Sequence, residues 1–132
     1  MSSVVFDASA VLAVLNRERG HEKAAGELYG AAISAVNYGE VLKKGAERGG
    51  DIAQIVAILH QQRMDIVPFD ASAARNAAEI WEACKPFGLS FADRACMSLG
   101  LSLQRTVYTA EEGMAKVELP VEVQLIRKRK AA

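Results

Sequence analysis

The chain has 132 residues, 51% hydrophobic and 24% charged, enough for one domain that removes roughly two thirds of its unfolded surface from water and too apolar to be disordered. Sixteen basic and sixteen acidic side chains cancel, which excludes an unselective nucleic-acid coat acting through bulk positive charge and confines any such contact to local patches. Cys84 and Cys96 fit neither a disulfide framework nor a CxxC metal site; no apolar run approaches the roughly 18 residues of a membrane span, and no basic leader precedes Val4. A cytoplasmic protein with buried reduced thiols is therefore expected.

In chain order, Val4-Val5-Phe6 is an apolar strand ending on Asp7, and Ala8 to Leu15 is helix-prone. His21 to Tyr29 reads as a short helix and Ala31 to Ser34 as a brief strand, after which Ser34 caps a helix running to about Arg48, where Gly49-Gly50 stops it. Asp51 caps a helix with an apolar face at Ile52, Ile55, Val56, Ile58 and Leu59. Asp65 to Phe69 is a third strand, and Asp70 caps a long Ala-rich helix towards Cys84 that ends before Lys85-Pro86-Phe87-Gly88. Ser90 opens a helix to about Leu99, Thr106-Val107-Tyr108 is a fourth strand, and Val121 to Leu125 alternates like an edge strand. Strands separated by crossover helices predict an α/β domain over residues 1–126, its mostly parallel central sheet of about five strands flanked by helices. The basic tail 127–132, opening Arg127-Lys128-Arg129-Lys130, reads as a frayed terminus or a sequence-blind attraction for nucleic acid.

Three acids carry the chemistry, and each has a structural explanation on its own. Asp7 caps the first helix; Ser9 either adds a second capping hydroxyl or steadies Asp7 and a metal-bound water. Glu40, with Asn37 one turn before it and Lys44 one turn after, falls opposite an apolar stripe of Tyr38, Val41, Leu42, Gly45 and Ala46, and reads as half of a solvated Glu–Lys pair. Asp93 completes a capping box with Ser90. Together, however, they belong to elements beside the end of one central strand if the sheet winds in the usual right-handed way. Unpaired carboxylates there repel by up to a few kcal/mol per close pair, so a divalent cation is the natural occupant, and hard oxygen donors point to Mg²⁺ or Mn²⁺. His21 and His60 lie elsewhere, and most of the scattered aromatic residues read as core.

Val4-Val-Phe-Asp7-Ala-Ser9-Ala, Ser34-Ala-Val-Asn37-Tyr-Gly-Glu40-Val-Leu and Leu89-Ser-Phe-Ala-Asp93-Arg-Ala-Cys, the acids separated by 33 (40 − 7) and 53 (93 − 40) residues, resemble the PIN-domain ribonucleases. The single-domain length is similar to the VapC-type toxins of bacterial toxin–antitoxin pairs. The resemblance runs from about Val4 to Leu125 and implies a PIN-like fold, with Asp7, Glu40 and Asp93 as metal-binding acids and Ser9 and Asn37 supporting them. The family's fourth acid, in a Thr-x-Asp context, corresponds to Thr109-Ala110-Glu111 here; Glu111 is one methylene longer and Glu112 is an alternative. Also implied are Mg²⁺- or Mn²⁺-dependent hydrolysis of RNA phosphodiesters, a homodimer with Trp81 and Ile80 as a candidate contact, and a cognate antitoxin whose C-terminal segment crosses the acidic cleft. Arg94, Lys43 and Lys44 are candidate phosphate contacts.

A receiver domain would want adjacent acids after the first strand, where Phe6 and Ala8 flank Asp7, and a haloacid-dehalogenase-type phosphatase would want DxD, where Ser9 takes the second position. The remaining alternative is a PIN-like module that binds RNA or protein with catalysis weak or lost.

Overall fold

The computed structural model describes residues 2–127. Strand β1 (Val5–Phe6) enters helix α1 (Ala8–Leu15); α2 (His21–Ala25), β2 (Ala32–Ser34), α3 (Ala35–Glu47) and α4 (Ile52–Gln61) follow. Then come β3 (Asp65–Val67), α5 (Ala71–Glu79), α6 (Trp81–Cys84), a 3₁₀ turn over Lys85–Phe87, α7 (Phe91–Leu103), β4 (Val107–Thr109), α8 (Glu112–Ala115) and β5 (Val123–Leu125). The five strands form one parallel sheet in the order β3-β2-β1-β4-β5, so β1 is central and the winding direction reverses between β1 and β4. In such sheets the crevice outside the carboxyl ends of the strands at that reversal is where ligands bind.

The pleat sends consecutive residues to opposite faces. Phe6 and Ile33 pack with Val11, Leu12, Val41, Leu59 and Ile126 on one side, and Val5 and Ala32 with Cys96, Met97, Val107 and Met114 on the other. Both faces are covered, as a parallel sheet requires. Asp7, Ser34, Asp51, Asp70 and Ser90 each accept a backbone N–H from the first turn of the helix that they precede, satisfying donors that a helix start leaves unpaired.

Several elements differ from expectation. The second helix stops at Ala25 because Gly26 follows, and glycine costs about 1 kcal/mol in a helix interior. The long Ala-rich helix breaks at Ile80, which leaves helical geometry (φ −94°, ψ 6°) and turns its β-branched side chain onto the Met97–Val107 core. Conversely, α7 passes Leu99 because Gly100 lets the helix lie against β4: a Cβ there would stand 2.5 Å from Val107 Cγ2. On α3 the buried residues are Asn37 and Val41, and Ala46 is exposed; the helix turns its asparagine face inward because it packs on both α1 and α7. The core is filled mainly by small and aliphatic chains, so of the aromatic residues Phe6 is fully buried while Tyr29, Trp81, Phe87 and Phe91 are exposed.

At the C-terminus, Arg127 is anchored: its guanidinium meets Glu18 at 3.1 Å and donates to the Arg19 carbonyl at 3.0 Å. The rest of the basic tail lies outside the described residues. No helix among the described residues is long and apolar enough to cross a membrane.

Candidate active site

Asp7 is set at the sheet's reversal by its backbone, whose N–H donates to Tyr108 O at 3.1 Å, and its side chain is 3% exposed. One carboxylate oxygen accepts from Ser9 Oγ (2.8 Å) and Ala10 N–H (2.8 Å), the other from Thr109 Oγ1 (2.5 Å). Ser9 in turn accepts Ala110 N–H at 2.9 Å, and Thr109 accepts Glu111 N–H at 2.9 Å. The hydroxyls of Ser9 and Thr109 thus tie the end of β1 to the loop after β4. Burial pushes the Asp7 carboxyl up to about 6, against the pull of these three hydrogen bonds, and the charge of Asp93 adds to the rise.

Asp93 opens α7 in a reciprocal capping box: its N–H meets Ser90 Oγ at 3.2 Å and its carboxylate accepts Ser90 N–H at 2.9 Å. Glu40, on α3, faces Lys44 at 3.6 Å. The structural explanation therefore holds for each acid singly, yet their fields overlap. Cys96, fully buried on α7, has its thiol pushed well up, first by burial and then by the charges of Asp7, Asp93 and Glu40. Between α3 and α7, Asn37 is 1% exposed and donates from Nδ2 to the Ala92 carbonyl at 3.1 Å. Its Oδ1 is buried with no donor, and an orphaned acceptor of this kind carries a free-energy cost that a cation or bound water relieves. Glu111 is exposed on the loop between β4 and α8, and Glu112 begins α8. Lys43 is engaged by Glu47 at 2.8 Å.

The Thr-x-acid stretch points to its acid and not to Thr109; only the register of β4 beside β1 brings the Thr109 hydroxyl to Asp7. Cys96 carried no signal, since a lone apolar-face cysteine reads as packing.

The model of the PIN domain family matches residues 4–119 of this sequence. The chain is a PIN domain. The fold resembles that of a toxin–antitoxin complex from Klebsiella pneumoniae (15% identity over 91% of this chain and 99% of that one, TM-score 0.68). It also resembles VapBC2 of Rickettsia felis, solved with a DNA fragment from its promoter (16%, 92% and 96%, TM-score 0.68), and FitAcB of Neisseria gonorrhoeae (21%, 91% and 95%, TM-score 0.62). No curated protein sequence matches this PIN domain.

PIN domains typically use divalent metal ions, and this donor set fits one in part. Among the described residues, no three His, Cys, Asp or Glu side chains are gathered closely enough to hold an ion by themselves, because Asp93 and Glu40 are drawn to Ser90 and Lys44. Mg²⁺, however, usually takes one or two carboxylates and keeps several waters. Asp7 accepts three hydrogen bonds, which leaves about one of the four lone-pair positions of an ionised carboxylate, and between α3 and α7 the Asn37 Oδ1 is a further hard acceptor without a donor.

Proposed function

We propose that this PIN domain is an endoribonuclease dependent on Mg²⁺ or Mn²⁺, acting in the cytoplasm as the toxin of a toxin–antitoxin pair. The observation that carries the reading is Asp7: a carboxylate buried at the reversal point of a parallel sheet, with a second acid close enough to raise its pKa. Asp7 would hold the ion, joined by Asp93 and Glu40 on turning from Ser90 and Lys44, and the ion when bound would supply an activated water and neutralise charge on the phosphate. Ser9 and Thr109 lock the Asp7 carboxylate in one rotamer. Asn37 joins α3 to the start of α7 and offers its free oxygen to a water. Burial of Asp7 excludes bulk solvent behind the reacting groups, and Glu111 stands at the rim as the candidate fourth acid. RNA is the substrate proposed, and the likeness to toxin–antitoxin complexes supports a cognate antitoxin as partner. Trp81, 47% exposed, is the candidate contact of a homodimer.

Incubation of the purified protein with RNA and millimolar Mg²⁺ or Mn²⁺ tests this directly. Cleavage that EDTA stops and Asp7→Asn abolishes is expected. The exposed Glu111 and the open spacing of the acids favour a second reading, a binding module with catalysis lost; binding without cleavage at every metal concentration would establish it.

A further inference from the structure

The first turn of α7 carries an aromatic residue for which the fold has little use. Phe91 is the first residue of α7, two before Asp93, and is 49% exposed. Its ring is held rather than loose: Phe69, after β3, meets it edge to face with centroids 5.5 Å apart, and the Arg94 guanidinium lies 5.6 Å from its centroid. Arg94 Nε is buried and without an acceptor. The Arg94 guanidinium is held by no carboxylate among the described residues, and such a cation suits a phosphate in charge and geometry. A rigid ring face beside a guanidinium lacking an acceptor matches a nucleotide, base on the ring and phosphate on the cation.

Resting on the nuclease reading above, we propose that Phe91, braced by Phe69, is a subsite that stacks one unpaired base of the RNA next to the phosphate at the acids, with Arg94 holding the adjoining phosphate. The expectation that most of the aromatic residues are core is corrected for Phe91, as for Tyr29, Trp81 and Phe87, by exposure.

The test is steady-state cleavage of a single-stranded oligoribonucleotide in Mg²⁺, with an abasic nucleotide placed at each position flanking the cut in turn. For the wild-type protein one flanking position should be sensitive, its abasic form raising KM about tenfold, the order of one lost stack. Phe91→Leu should raise KM on the intact strand by a similar factor with kcat within about twofold, should no longer distinguish the abasic strand, and should be rescued by Phe91→Trp. Arg94→Gln should weaken binding of every sequence and lower the salt slope by about one. Unchanged KM in a folded Phe91→Leu, or a KM defect that persists unchanged on the abasic strand, overturns the subsite and leaves the nuclease reading standing. A change in oligomeric state with RNA kinetics intact overturns it in favour of a protein interface. A wild-type protein that cleaves no RNA in Mg²⁺ or Mn²⁺ overturns both.

Discussion

Asp7 is the residue in which structural and chemical roles conflict. It caps α1, as a lone acid after a strand does, but its folded-state pKa near 6 lies above its ordinary 3.8, so the folded protein binds this proton more tightly than the unfolded chain. The Asp7 contribution to stability is therefore fully present below about pH 4 and is lost, by roughly 3 kcal/mol, as pH rises through 6. In metal-free buffer, denaturant titrations should show this loss in the wild type and not in Asp7→Asn, which keeps the shape and cannot ionise. A parallel pH profile in both proteins would remove Asp7 from the effect. Thr109→Val deletes a hydrogen bond that favours the charged form, so the acid limb of the cleavage profile should move to higher pH, with a larger loss of activity at pH 6 than at pH 8. At this scale the capping roles of Asp7 and Asp93 were legible from their places after a strand and at a helix start, whereas the roles of Glu40, Ser9 and Asn37 at a metal came from the resemblance to PIN-domain ribonucleases and await test. The link from Thr109 to Asp7 was not legible, since it spans 102 residues.

Among the elements, α7 matters most, because it carries Asp93, Cys96 and Gly100. Ser90→Ala removes half of its capping box and should lower stability by about 1 kcal/mol, with the pH profile of cleavage unchanged because the backbone N–H of residue 90 still donates to the Asp93 carboxylate. Gly100→Ala should lower stability by about 1–3 kcal/mol through overpacking on Val107 and Val121, leaving the pH profile of cleavage unchanged; thermal melts and the profile together check both. The five capped helices and the five strands were readable from local chemistry: a capping oxygen before an amphipathic run, an apolar run bounded by polar residues. The break at Ile80 and the inward face of α3 were not, because intrinsic propensities differ by a few tenths of a kcal/mol and burial against a neighbour outweighs them.

For the whole molecule, the open question is what offsets a desolvated carboxylate among other acids. A ligand that binds only the folded state stabilises it by about 2.7 kcal/mol at a hundred times its Kd. Mg²⁺ should therefore raise the melting temperature at pH 7.5, less so at pH 5 where Asp7 keeps its proton, and not at all in Asp7→Asn; equal shifts in all three would place the ion elsewhere. The sequence by itself determined the alternation of strands and helices, hence a parallel α/β sheet, and the helix caps, because periodicity and capping are properties of neighbours in the chain. Only the tertiary structure decided that β1 and β4 flank the reversal, that Thr109 reaches Asp7, that Asn37 turns inward and that Phe91 stands exposed. Each of these depends on strand order and helix packing, in which residues far apart in the chain compete for the same buried space.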